Sequence, residues 1–174
     1  MQQILDKAKK TRIVIFDVDG VLTDGRLYIT ESGEEIKAFH SRDGHGMKML
    51  QSTGIEIGII TGRTSNIVSH RMGELGIKHV YQGRRDKLPA FQELLTKLNL
   101  SADETVFVGD DVVDLPIMVR AGLSVAVSDA HPLVKQYAHW QTNNPGGKGA
   151  ARDVCELIMQ AHGTLENQMK KYTD

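Results

Sequence analysis

Ile13-Val14-Ile15-Phe16 is an unbroken apolar run that ends in Asp17, with Asp19 two residues further on and Gly20 directly behind it. A strand that is apolar at every position is buried on both faces, the condition of a parallel sheet covered by helices. Ligands of such sheets bind where the strands end at their carboxyl edge. Side chains two apart on an extended chain point the same way, so Asp17 and Asp19 face one site wherever the extended geometry persists. An acidic surface turn after a core strand is the other reading, and the remaining motifs separate the two.

Four further segments read as strands: Glu56 to Thr61, His79 to Tyr81, Glu104 to Gly109, and Leu123 to Val127. Helical spacing of apolar residues fills the intervals, over His45–Ser52, Ser65–Leu75, Lys87–Leu98 and Ala150–His162. Three of these stretches stop at a glycine (Gly54, Gly76, Gly163), and Pro89 fits the first turn of its helix. Strands alternating with helices of this length predict right-handed βαβ units and a mostly parallel sheet flanked by helices. One stretch breaks the rhythm. Leu27 to Thr30 and Glu35 to Phe39, around a turn containing Gly33, predict a β-hairpin inserted over about residues 25–40. Such a hairpin is only marginally stable alone, so it pairs with a partner subunit's hairpin or folds back on its own domain. A second irregular stretch, about 142–150, holds Asn144-Pro145-Gly146-Gly147-Lys148-Gly149 and reads as a plain linker or a substrate-covering loop.

The 174 residues suffice for one core and predict a single domain over 1–174. With 21 basic against 22 acidic residues there is no basic field to recruit nucleic acid. No apolar run approaches the roughly 20 residues that span a bilayer, and Met1 to Lys10 is polar, so a cytoplasmic location is expected. The single cysteine, Cys155, excludes an intrachain disulfide and a cysteine-based zinc site.

The chemically suggestive residues gather at strand ends and helix starts. Thr61 closes a strand before Gly62, where a hydroxyl and free backbone N–H groups suit phosphoryl oxygens. Lys87 opens a helix, a position the helix dipole disfavours for a cation, which suggests an anionic ligand nearby. Asp110, Asp111 and Asp114 follow another strand, and three carboxylates so close repel unless a cation neutralises them. Oxygen-only ligands point to a hard divalent ion, magnesium. Each feature has a plain structural alternative: a cap, a solvated lysine, an N-cap cluster. Together at one sheet edge they predict a site.

Asp17-Val18-Asp19-Gly20-Val21-Leu22-Thr23, Thr61-Gly62, Lys87, and Gly109-Asp110-Asp111 with Asp114 resemble, in order and spacing, the haloacid dehalogenase superfamily of phosphotransferases. The resemblance spans about residues 13–129. Asp24-Gly25 with the hairpin, His40-Ser41-Arg42-Asp43-Gly44, Arg63 and the glycine-rich tail are similar to its branch acting on octulosonate 8-phosphates. They are shared in part with the phosphatase-like domain of some sialic-acid activating enzymes. The resemblance implies a Rossmann-like, three-layer, doubly wound parallel sheet and an aspartyl-phosphate mechanism on a small phosphorylated sugar acid. It implies Asp17 as nucleophile and Asp19 as acid and base, with Thr61 and Lys87 on the phosphoryl oxygens. Magnesium would be held by Asp17, the Asp19 carbonyl and Asp110, with Asp111 and Asp114 behind them.

Superfamily members often carry a cap domain, but the intervals here hold only the hairpin with one helix, and a helix with a short strand, so no cap fits. The resemblance implies a homotetramer in which a neighbour's hairpin or tail (Gly146, Gly147, Lys148) closes the site. Arg42, Lys48, Arg63, Arg71 and Arg84 are candidate partners for a sugar carboxylate, each with a solvated surface residue as its alternative. His40, Ser41, Asp43, Gly44 and Gly62 join them as candidate substrate-binding positions. A phosphoacceptor receiver domain would need an aspartate where the middle strand ends in Thr61, and is disfavoured; a catalytically silent oligomerisation domain is opposed by intact Asp17, Asp19, Lys87 and Asp110.

Overall fold

The computed structural model describes residues 1–173. Ile13–Phe16 forms β1, buried at every position, at the centre of a six-stranded sheet. Helix α1 (Gln2–Ala8) precedes it; a separate two-stranded hairpin, β2 (Tyr28–Ile29) and β3 (Glu35–Ile36), follows. The chain continues through α2 (Ser41–Gln51), β4 (Glu56–Ile60), α3 (Asn66–Glu74), β5 (His79–Tyr81) and α4 (Leu88–Leu98). After β6 (Thr105–Gly109) come α5 (Leu115–Met118), β7 (Leu123–Ala126), α6 (Pro132–Tyr137), β8 (Trp140–Gln141), α7 (Ala150–Ala161) and α8 (Leu165–Lys170).

The strand order is β5-β4-β1-β6-β7-β8, and every pair in this sheet is parallel. The chain winds outward from β1 to one side through β4 and β5, then to the other through β6, β7 and β8, which makes β1 the switch point where a doubly wound sheet binds its ligand. Register aligns the ends. Phe16 lies level with Ile59 on β4 and Val108 on β6, so Asp17, Thr61 and Asp110 leave the sheet along one edge.

Helices α1, α2 and α7 pack together, as α4 does with α5. Helix α4 buries Ala90, Phe91 and Leu94, and each large buried side chain contributes about 1.5–3 kcal/mol relative to exposure. No helix among the described residues is long and apolar enough to cross a membrane.

The alternating α/β pattern and the hairpin match expectation, but four elements do not appear in the sequence reading: α5, α6, α8 and β8. They have six residues or fewer, too short for apolar periodicity to register. Helix α2 begins at Ser41 rather than near His45. Gly44 and Gly46 weaken its helical signal, yet they give space to Arg71 and Arg152, so tertiary packing overrides propensity.

Candidate active site

The edge residues converge because local turns aim them inward. Asp17 is 5% exposed; its Oδ1 accepts from Val18 N at 2.7 Å, and its Oδ2 lies 2.7 Å from Lys87 Nζ. Beyond Asp19 the backbone reverses at Gly20, whose φ of +88° favours glycine. A Cβ there would also overlap the Asp110 carboxylate. The turn is tied by Thr23 Oγ1, which accepts from Gly25 N at 3.2 Å.

Asp114 is fully buried and fully engaged. Its Oδ1 accepts from Lys87 Nζ at 2.6 Å, and its Oδ2 accepts from Asp110 N at 2.9 Å and Asp111 N at 3.3 Å. Asp111 caps the short helical turn after β6, accepting from Val112 N at 2.7 Å. Lys87, at the N-cap of α4, is 2% exposed between the carboxylates of Asp17 and Asp114. Burial alone would lower its ammonium; the two carboxylates outweigh it and hold Lys87 above its ordinary value.

Asp17, Asp19, Thr61, Arg63, Lys87 and Asp110 line one cavity of about 500 Å³. Asp110 is the group most displaced from its ordinary chemistry. Burial, then the neighbouring Asp114 and Asp17 carboxylates, push its pKa up to about 8. Burial and Asp114 also raise Asp17, against the pull of Lys87. One ammonium, Lys87, faces three carboxylates, so the cluster is short of positive charge. Asp17, Asp110 and Asp114 can each offer an oxygen within 4.8 Å of the others. No hydrogen bond or ion pair engages the Asp110 carboxylate among the described residues, whereas both Asp114 oxygens are occupied. Hard oxygen donors and crowded charge fit magnesium, with Asp110 free to ligate and Asp114 holding Lys87 and the loop.

Asp19 stands at the cavity wall, facing the hairpin. Lys37 Nζ pairs with its Oδ1, and Arg63 Nε lies 3.7 Å from its Oδ2. Glu35 Oε1 bridges these cations, 3.3 Å from Lys37 Nζ and 2.6 Å from Arg63 Nη2. Neither Glu35 nor Lys37 is a sequence candidate, because nothing in the hairpin's alternation marks which residue turns back. Arg85 also lines the cavity, while Arg84 faces Glu93 and the Tyr81 ring.

Other substrate-binding candidates lie elsewhere in the chain. Asp43 is buried and accepts from Gly149 N at 3.2 Å and Arg152 N at 2.8 Å, anchoring the start of α7. His40, Gly44 and Arg71 line a separate small crevice beside Met47 and Leu75. Ser41 and Lys48 are exposed on α2, and Arg42 borders a polar hollow with Arg152 and Glu156. Within one chain these residues do not line the cavity: α2, packed on α7, carries Ser41, Arg42, Asp43, Gly44 and Lys48, and Arg71 sits on α3. Gly62 and Arg63 do line it. The glycine-rich segment is a strap rather than a free lid: Gly147 N donates to Val21 O at 2.9 Å, and Gly146 N to Asp129 Oδ1 at 2.9 Å. Gly146 packs on Gly20 so closely that any Cβ would overlap its carbonyl; Lys148 is exposed.

Residues 74–152 match the family model of haloacid dehalogenase-like hydrolases. The 3-deoxy-D-manno-octulosonate 8-phosphate phosphatase of Salmonella typhi is 48% identical over 163 residues, 94% of this chain and 87% of that protein. The chain belongs to this family of phosphatases. The structure of the Yersinia pestis phosphatase superposes with a TM-score of 0.93 at 46% identity, covering 94% of this chain and 89% of that one. The Moraxella catarrhalis phosphatase, in complex with a magnesium ion, a phosphate ion and 3-deoxy-D-manno-octulosonate, gives a TM-score of 0.97 at 38% identity, with 99% of both chains covered.

Proposed function

We propose that this chain hydrolyses 3-deoxy-D-manno-octulosonate 8-phosphate to 3-deoxy-D-manno-octulosonate and phosphate, with magnesium and through an aspartyl-phosphate. The observation that carries the reading is the buried lysine between two carboxylates, Asp17 and Asp114, beneath a cavity walled by Asp19 and Thr61. Identity of 48% to a phosphatase of that name supports the substrate.

Unaided phosphate-monoester hydrolysis is slow enough that catalysis can reach about 10²¹-fold, whereas one general acid contributes only about 10²–10⁴. The rest requires covalent catalysis and concentrated positive charge. In this reading Asp17 attacks phosphorus as the bond to the sugar oxygen breaks, and Asp19 gives that oxygen its proton. Asp19 then takes a proton from the water that attacks the phosphoryl group, which restores Asp17 and frees phosphate. Lys87 and Thr61 hold the phosphoryl oxygens, and Asp114 holds Lys87. Magnesium bound by Asp17, the Asp19 carbonyl and Asp110 supplies the charge that lets a carboxylate approach a phosphate dianion.

The reading extends to a cytoplasmic, single-domain protein over 1–174 that works as a homotetramer. Leu27, Tyr28, Ile29 and Ile36 are 41–62% exposed on the hairpin, apolar surface suited to a second copy. Neighbouring subunits would supply the α2 and α3 basic residues that one chain keeps from its own cavity.

Phosphate release from several sugar-acid phosphates, octulosonate 8-phosphate and a sialic acid 9-phosphate among them, tests the reading when run with magnesium and with chelator. The octulosonate ester should be preferred and chelator should stop release. Equal rates on every ester would overturn the substrate, and no release would overturn the activity.

A further inference from the structure

Asp19 differs from Asp17, Asp111 and Asp114 in how it is held. Asp17, Asp111 and Asp114 each accept at least one backbone N–H, which fixes their side chains to their own loops. Among the described residues the Asp19 carboxylate accepts none; its polar partners are Lys37 and Arg63 alone. Arg63 is the looser of the two, 47% exposed and 3.7 Å away, where solvent screens the attraction. Lys37 is different. Its side chain is 2% exposed although the adjacent Ile36 is 57% exposed, so the hairpin turns this one ammonium inward while its apolar residue faces out. A buried ammonium must be paired, and of its two partners, Asp19 and Glu35, Asp19 lines the cavity.

We propose that Lys37 is a positioning residue for the reaction: it holds the Asp19 carboxyl group in the orientation from which its proton passes to the departing oxygen and in which, once ionised, it takes the proton of the attacking water. Glu35 is the anchor, engaging Lys37 and Arg63 together, and with Asp19 ionised the four side chains form a neutral cluster. The hairpin thereby acquires a task inside its own subunit. Positioning of this kind matters for proton transfer because misplacement by about 1 Å can cost about 10²-fold. The proposal rests on the phosphatase reading above.

Two esters tell a positioning role from a structural one. Octulosonate 8-phosphate releases a sugar alkoxide that needs a proton, whereas p-nitrophenyl phosphate releases a phenolate stable enough to leave as the anion. With magnesium, Lys37→Met should slow single-turnover release of the sugar from octulosonate 8-phosphate by roughly 10²-fold, while KM and the single-turnover burst of p-nitrophenolate, which precedes the hydrolysis that Asp19 also serves, each change by less than about threefold. Lys37→Arg should recover part of the loss, and Glu35→Gln should show the same split between esters with a smaller fall. Should Lys37→Met fail to fold by circular dichroism, Glu35→Gln carries the comparison. Equal losses on both esters, or a change confined to KM, would overturn the assignment. Wild-type protein inert towards both esters would overturn the phosphatase reading and this role with it.

Discussion

Lys87 Nζ lies 2.7 Å from Asp17 Oδ2, an ion pair that joins the start of α4 to the end of β1 with almost no solvent between them. Removing either member should change the site in opposite ways, because Asp17 is the proposed attacking group and Lys87 neutralises it.

Asp17→Asn should lower magnesium-dependent phosphate release by more than about 10³-fold, since the amide cannot form the aspartyl-phosphate. Lys87 keeps Asp114, so circular dichroism should show an unchanged fold. Substantial residual turnover would show that another group attacks phosphorus.

Lys87→Met should be destabilising instead. It leaves the buried Asp17 and Asp114 uncompensated, a loss of about 3–5 kcal/mol for a broken buried pair. At about 2–4 °C per kcal/mol for a chain this size, thermal unfolding in chelator should shift by roughly 6–20 °C. Magnesium should restore part of it. A shift under about 2 °C would show that the carboxylates do not depend on this cation.

Magnesium should stabilise the protein more strongly at pH 8.5 than at pH 6. The Asp110 carboxyl is raised from 3.8 to about 8 in the metal-free fold, so the folded state holds a proton that the unfolded state has lost between those values. Stability from this group is therefore undiminished below pH 3.8 and falls as pH rises towards 8. Metal binding reverses that loss and must expel the proton in the same window. Calorimetric titration at pH 6.5 in buffers of different ionisation heat should detect proton release; identical heats would contradict it.

Gly20→Ala should weaken magnesium binding by roughly tenfold or more and cost about 1–3 kcal/mol, because the φ is positive and the new Cβ overlaps the Asp110 carboxylate. Unchanged metal affinity would mean that the Asp110 carboxylate moves aside freely.

Ile29→Asp combined with Ile36→Asp should split the proposed tetramer into smaller species by sedimentation, since both side chains are more than half exposed on the hairpin. Unchanged mass would move the interface elsewhere.

Much of this site was legible because its residues follow apolar strands directly. The run Ile13–Phe16 announces Asp17, and the same logic finds Thr61 after β4 and Asp110 after β6, since parallel register brings them to one edge. Lys87 was legible from its unfavourable place at a helix start. Lys37 and Glu35 were not, because their role depends on how the hairpin folds over Asp19, a relation without sequence periodicity. Where Arg42, Asp43, Lys48 and Arg71 lie was not legible, for a related reason. Charge near a motif says nothing about direction, and α2 directs Asp43 to the start of α7 rather than to the cavity.

The strap of Gly146 and Gly147 on the turn around Gly20 has a consequence for biosynthesis. The turn that shapes the catalytic loop is translated early, but the backbone that backs it arrives on the order of a hundred residues later, a long-range closure that folding completes slowly. A nascent chain arrested before that strap carries Asp17 and Asp19 on a turn held by its own local hydrogen bonds. The packing that backs the turn around Gly20 is therefore complete only once nearly the whole chain has emerged.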